Sequence, residues 1–395
     1  MRLLVATHST AMLGGTESYL SKVLPLLAQG GLEVGLATEA QPCKEASLQT
    51  PAEQLTWTIR NAADAQALVA AWVPDVVMQN GMLDPSIESA LLATIPSVLF
   101  AHNYYGTCVS GKKRFALPSL QVCHRRFGLA CLGLYLPRRC GGLNPLTAIQ
   151  QFTLQRKRLL MLERYAYVVV ASQAMREEYL RHGVRANRLR VVPYFVEALA
   201  DDGLRSDKNQ RDRHGPLLMV SRLVPEKGAQ ELIEAAARAQ SALGWPLELI
   251  FAGTGSIEPL RRLALRRGVA ARFVGWVSAS TRSQLMARAA LLVVPSVWPE
   301  PFGIVGIEGG VQGLPAVAFA TGGIVDWLAD GESGIAAPGA RPRVGEFAAA
   351  LVRALEDEER YRTLCAGAFR VAARFTAREH VSRLVDALER AARER

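Results

Sequence analysis

The sequence predicts an α/β fold: two Rossmann-like domains with parallel sheets facing across a cleft. Three observations carry this. Short β-rich apolar runs alternate with helical stretches along the chain, the pattern of parallel strands joined by crossover helices. At 395 residues the chain is too long for one ordinary core. Near its middle lies EALADDGLRSDKNQRDRHG, residues 197–215, which is polar and nearly free of large apolar side chains. Such a stretch reads as an exposed connection between domains.

In the first half the expected strands are Leu3–Thr7, Glu33–Thr38, Asp75–Gln79, Ser97–Ala101, Tyr167–Ala171 and Leu189–Pro193. In the second half they are Leu217–Ser221, Leu247–Ala252, Arg272–Gly275, Leu291–Pro295 and Ala316–Phe319. The expected division is a first domain over 1–196, a linker over 197–215 and a second domain over 216–375. A last helix over 376–395 is expected to cross back onto the first domain. Open α/β sheets bind ligands at the carboxyl ends of their strands, so facing sheets would put a site in the cleft.

Half of the residues are hydrophobic and 21% are charged, the balance of a globular protein. No run reaches the roughly 18 to 20 apolar residues that span a bilayer. The N-terminal run Leu3–Ala6 is too short for a signal peptide and reads as a first strand, so the expected location is the cytoplasm. The net charge of +10 is unevenly placed. Between Gly111 and Arg190 sixteen Lys and Arg face three acidic residues, and this local excess of thirteen exceeds the total. It points to an anionic partner: an anionic membrane surface, on whose inner face the protein would be peripheral, or a phosphorylated lipid. A solvated surface competes with that reading. No nucleic-acid motif is recognised, so nucleic acid is not expected as a partner.

Several motifs sit where strands should end. After the first strand comes Gly14-Gly15-Thr16-Glu17 and then a helix carrying Pro25, which should kink it. Paired glycines let backbone N–H groups approach a phosphate at a helix N-terminus, although glycines also simply make turns. In Ser221-Arg222-Leu223-Val224-Pro225-Glu226-Lys227-Gly228 two cations straddle a turn, suited to a diphosphate gaining charge as it leaves. Ala252-Gly253-Thr254-Gly255 starts like a dinucleotide fingerprint, but Glu258 occupies the third glycine position. The most informative stretch is VPSVWPEPFGIVGIEGGVQG (294–313), with Glu300 in a loop and Glu308 about two turns along the next helix. Two such carboxylates can grip hydroxyls at separate points of one elongated ligand.

Cys108, Cys123, Cys131 and Cys140 share a basic, inserted segment, about 103–145, while Cys43 and Cys365 are isolated. Their spacing is too wide for paired zinc knuckles. A structural metal at the cluster and buried free thiols remain open alternatives, with disulfides well behind in a reducing cytoplasm. The segment reads as an acceptor-side subdomain pinned by its cysteines.

The strings GGTE, VSRLVPEKG, AGTG, FVGWV and EPFGIVGIEGGVQG, in this order over nearly the whole chain, resemble retaining glycosyltransferases of family four, which have the GT-B fold. The resemblance implies that Glu300 contacts the donor sugar, that Glu308 holds the nucleotide ribose and that Arg222 and Lys227 bind the diphosphate. It further implies that Gly14 and Gly15 approach the phosphates, that Phe302, Gly303 and Ile304 line the donor, and that His102 faces the reacting centre. Where many relatives carry Glu, this chain has Asp326. The activity so implied is transfer of a sugar from a UDP-, GDP- or ADP-sugar co-substrate to a lipid-linked or polysaccharide acceptor, with retention. No Asp-x-Asp pair offers a metal to the diphosphate, so no cofactor is expected for catalysis. The competing readings are a sugar-nucleotide epimerase, a non-catalytic sugar-nucleotide sensor and a basic nucleic-acid-binding protein.

Overall fold

The computed structural model describes residues 1–9, 15–39, 55–196 and 211–394. Gly14, Cys43 and most of the expected linker (197–210) lie outside the described residues.

In the first half the strands are β1 (Arg2–Thr7), β2 (Glu33–Thr38), β3 (Leu55–Thr58), β4 (Val76–Asn80), β5 (Ser97–Ala101), the short β6 (Arg114–Phe115) and β7 (Gln121–Val122), β8 (Tyr167–Val170) and β9 (Leu189–Val191). The helices among them are α1 (Gly15–Gln29), α2 (Ala62–Trp72), α3 (Pro85–Thr94), α4 (Ala130–Tyr135), α5 (Pro145–Met161) and α6 (Gln173–Arg181). The second half has β10 (Leu217–Val220), β11 (Glu248–Ala252), β12 (Ala270–Gly275), β13 (Leu291–Val294), β14 (Ala316–Phe319) and β15 (Gly334–Ala337). Its helices are α7 (Ala229–Leu243), α8 (Ile257–Arg267), α9 (Ala279–Arg288), α10 (Val305–Gly310), α11 (Val344–Leu355), α12 (Glu358–Ala372) and α13 (Ala377–Arg393).

Among the described residues these strands build two parallel sheets, ordered β3-β2-β1-β4-β5-β8-β9 and β12-β11-β10-β13-β14-β15, while β6 and β7 pair antiparallel by themselves. In each, the strand order reverses beside the first strand, between β1 and β4 and between β10 and β13. That reversal opens a crevice at the strands' carboxyl ends. The central strands β4, β5, β13 and β14 are buried on both faces, as parallel sheets covered by helices must be. β3 and β15 are additions to the expected strands. LTWT and GIAA are too short or too poor in branched side chains to stand out, and both are edge strands completed by pairing.

Helix α1 continues through Pro25 and buries Tyr19, Leu20, Val23, Leu24 and Leu27 against the first sheet. The final helix belongs to the same core, where Leu384, Ala387, Leu388 and Ala391 are fully buried. The chain returns there beside its own earlier crossing: Val196 bridges Thr376, and its N–H donates to the Phe375 carbonyl at 3.1 Å. No helix among the described residues is long and apolar enough to cross a membrane.

Candidate active site

The carboxyl ends of both sheets meet at a cavity of about 430 Å³. Thr16 and Tyr19 of α1, with His102 after β5, wall it on one side; Arg222, Lys227 and Glu300 wall it on the other.

Lys227 ends a single 3₁₀ turn, Pro225–Lys227, that follows β10. Gly228 closes the turn at φ +75°, where a Cβ would overlap the Pro295 carbonyl oxygen, so this position demands glycine. The Val297 N–H also bonds the Glu226 carbonyl at 2.9 Å, tying the turn to the loop after β13. The Lys227 ammonium thereby reaches Glu300 Oε1 at 2.6 Å and lies 5.3 Å from the centre of the Trp298 ring. Glu300 also accepts from the Ser296 hydroxyl. Its own backbone is clamped by the Gly323 N–H at 2.7 Å and by close approach of Gly322, where a Cβ would strike the Glu300 carbonyl. Arg222 is exposed on the cavity wall. Gly303 and Ile304 line the cavity beside it. Phe302 also lines it, but its ring is fully buried, packed edge-on to Tyr194 and Phe375, so it shapes the loop.

His102 faces Glu300 across the cavity. Its Nδ1 is 2.6 Å from the Tyr194 hydroxyl and its Nε2 is 2.9 Å from Asn80 Oδ1. Since Asn80 Oδ1 can only accept, Nε2 carries the hydrogen and Nδ1 accepts from Tyr194. The ring stacks on Phe100 at 4.6 Å. One edge opens to the cavity, yet the surrounding protein excludes enough water to lower its pKa to about 3, with His380 adding a smaller push in the same direction. His102 is therefore a fixed neutral imidazole and not a proton acceptor. His380, on α13, supports this cluster: its Nε2 accepts from the Tyr19 hydroxyl at 3.0 Å and its Nδ1 donates to the Pro193 carbonyl at 2.6 Å.

Glu308 is not among the cavity-lining residues. It projects from α10 to Arg282 at 3.0 Å and to Lys22 of α1 at 3.6 Å, an ion pair between the two halves. Asp326 is also turned elsewhere, accepting the Gln173 N–H at the N-terminus of α6 at 2.9 Å. Tyr104, buried, donates to the Pro299 carbonyl at 2.8 Å and so joins the halves next to Glu300. Asn80, Tyr194, Trp298 and His380 carried no sequence signal as site residues. A second cavity of about 180 Å³, lined by His8, Glu17, Asn80 and Asn103, adjoins the first through His102.

The inserted segment differs from the expected one. Its four cysteines are free, half-buried thiols. Burial raises the Cys123 pKa and pushes Cys140 up to about 12. Among the described residues no group of three or more His, Cys, Asp or Glu could hold a metal ion. What pins the segment is Lys113, buried and paired with Glu178, donating to the Arg125 carbonyl at 2.9 Å. Nor does it stay on one side of the cleft. Lys112 pairs with Glu226 in the Lys227 turn, and the Val122 N–H donates to the Ala340 carbonyl at 3.2 Å. Part of the basic excess is thus spent inside the fold.

Fold and cavity together define the GT-B class of α/β proteins. Residues 14–194 match the glycosyl transferase 4-like domain and residues 200–370 the glycosyl transferases group 1 family. Both halves of the chain thus match glycosyltransferase families, the group 1 match lying in the second half. It is 35% identical over 175 residues to D-inositol 3-phosphate glycosyltransferase 2 of Catenulispora acidiphila, covering 40% of this chain and 39% of that protein. The chain spans about a third to a half of the length of the curated relatives it matches. Among solved structures, HepE of Anabaena in complex with UDP and glucose superposes with a TM-score of 0.69 at 18% identity, covering 98% of this chain and 99% of that one. Sucrose-phosphate synthase of Thermosynechococcus elongatus does so with a TM-score of 0.71 at 18% identity, covering 99% of each. At these identities the likeness is one of fold.

Proposed function

We propose that the protein transfers a glycosyl group from a nucleotide-sugar donor to a lipid-linked or polysaccharide acceptor, with retention of configuration and without a catalytic metal ion. The observation that carries this reading is the convergence of Lys227, Arg222 and Glu300 on one cavity, opposite the neutral His102.

In this reading the donor diphosphate lies against the Lys227 turn, with the ammonium and the Arg222 guanidinium facing the oxygens that gain charge as the sugar leaves. Gly15, at the start of α1, approaches the same phosphates. Glu300 exchanges its Lys227 contact for a sugar hydroxyl, and Glu308 exchanges Arg282 or Lys22 for the ribose. His102, with both ring nitrogens engaged by Tyr194 and Asn80, presents the edge of a fixed neutral ring to the sugar without taking its proton. The bond from the anomeric carbon to the phosphate oxygen breaks, its electron pair leaving with the diphosphate. The acceptor oxygen bonds to that carbon on the same face, and its proton passes to the departing phosphate. The pocket of His8, Glu17 and Asn103 is where the acceptor hydroxyl would be presented. Positioning and fixed charge supply the catalysis. The UDP held by HepE makes uridine diphosphate sugars the first donors to test.

A thermal-shift panel of UDP, GDP, ADP and their sugars, run in EDTA, tests the reading. One nucleotide at a hundred times its dissociation constant should stabilise the protein by about 2.7 kcal/mol. Turnover of its sugar should persist in chelator and yield the donor's own anomeric configuration by NMR. No stabilisation by any nucleotide, or a rate restored only by Mn or Mg, would refute it.

A further inference from the structure

Helices α4 and α5 pack together as one unit of the inserted segment, with Tyr135, Ala148 and Phe152 buried around Val109. Their outward residues are unusual for a surface. Leu129, at the start of α4, is 75% exposed, Leu143 62%, Leu146 67% and Ile149 54%. Leu129 and Leu136 stand two turns apart on one side of α4, while Leu146 and Ile149 share the opening face of α5 at i, i+3 spacing. Phe115 and Tyr135 of the same segment are buried and take no part in this surface. The outer side of α5 continues through exposed Arg156, Lys157 and Leu160. Large apolar side chains left exposed together on two packed helices mark an interaction site.

The charge around the patch identifies the occupant. Between Glu88 and Glu163 the sequence contains ten Lys and Arg and not one Asp or Glu. Lys113, Arg114 and Arg158 of these are buried, and Lys112 pairs with Glu226. Arg125, Arg126, Arg139, Arg156 and Lys157 are exposed. Exposed leucines bordered by arginines, with no carboxylate among them, match a surface that offers anionic head groups and apolar depth together. We propose that the α4–α5 face seats the protein on an anionic lipid bilayer. The inserted segment departs from the end of β5 just after His102, so the seated face lies on the side of the molecule where the first sheet opens to the cleft. This stands apart from the nucleotide-sugar reading, because it is read as binding without turnover.

Sedimentation of the full chain with vesicles of phosphatidylcholine alone, or with one third phosphatidylglycerol, tests it at low and high salt. The protein should pellet with the anionic vesicles at low salt, weakly with the neutral ones, and be released by high salt. Arg125→Ala/Arg126→Ala should weaken binding roughly thirtyfold at low salt. Leu146→Ser/Ile149→Ser should weaken it at least about tenfold, and the exposure of all four positions predicts unchanged melting temperatures. Absence of lipid-dependent pelleting at low salt overturns the proposal. So does pelleting that survives Leu146→Ser/Ile149→Ser, or a lipid-free dimer that this variant abolishes, which would make the face a contact between copies.

Discussion

Replacing Lys227 with alanine should cost both stability and turnover, and the two losses have separable origins. In the folded protein the Glu300 side chain is only 7% exposed and sits 2.6 Å from the ammonium, which is itself 19% exposed. Removing the cation leaves a carboxylate with the Ser296 hydroxyl as its remaining side-chain partner. Breaking a buried pair in this way costs about 3 to 5 kcal/mol. The cavity lets water reach the site, which brings the cost below that range, to about 2 to 3 kcal/mol. At about 2 to 4 °C per kcal/mol for units of this size, the melting temperature should fall by about 4 to 12 °C. Turnover should fall separately, by about 2 to 4 kcal/mol of transition-state stabilisation, or roughly thirtyfold to a thousandfold in kcat. Lys227→Ala/Glu300→Gln resolves the two by removing the uncompensated charge. It should recover much of the lost melting temperature and none of the lost activity. The assay is differential scanning fluorimetry beside initial rates of nucleotide release. A Lys227→Ala enzyme within threefold of wild-type turnover would refute the clamp, and a double variant no more stable than the single would refute the account of stability.

Glu308→Gln should weaken binding of the bare nucleotide by about tenfold or more, since the ribose contact does not depend on the sugar. Glu300→Gln should spare the nucleotide and harm the intact donor; equal effects of both on nucleotide affinity by calorimetry would overturn that division. Protonation adds a further prediction. Burial holds His102 at a pKa of about 3 and His380 at about 4, against about 6.5 for an exposed histidine. Between these values the unfolded chain binds more protons than the folded one, so stability is full above pH 6.5 and declines as the pH falls toward the folded values. The slope approaches about 1.4 kcal/mol per pH unit for each histidine. The melting temperature should therefore drop between pH 6.5 and 5, and His380→Gln should flatten the drop. A profile that His380→Gln leaves unchanged would remove His380 from the account.

The parts of the site legible in the sequence are those where a loop leaves the carboxyl end of a strand. Lys227 and Glu300 are 73 residues apart, yet each follows a strand beside the crevice, so strand ends and glycine-bearing turns were enough to bring them together. Asn80 and Tyr194 were not legible, because their roles come from reaching His102 across 22 and 92 residues. An Asn at a strand end or a Tyr after a proline has no distinguishing local pattern. Charge was misleading for a related reason. Lys112 and Lys113 count toward a basic surface in sequence, but Glu226 pairs with Lys112 and Glu178 holds Lys113 inside the fold. Glu308 shows the opposite limit: spacing placed it two turns from Glu300, but only the packing of α1 and α9 shows which cations hold it meanwhile.

The helix that returns to the first sheet determines the order in which the protein can be completed. Tyr19 and His380 are bonded across 361 residues, so the N-terminal half lacks part of its own core until α13 has been made. Leu384 and Leu388 alone account for about 3 to 6 kcal/mol of burial that a nascent N-terminal half cannot yet claim. During translation the first sheet remains open along the groove that α13 will fill. Cutting the gene at the polar stretch near its middle therefore does not separate two self-sufficient pieces. The N-terminal fragment would carry an uncovered apolar strip beside Tyr19, and the C-terminal fragment would end in a helix with nothing to lie on.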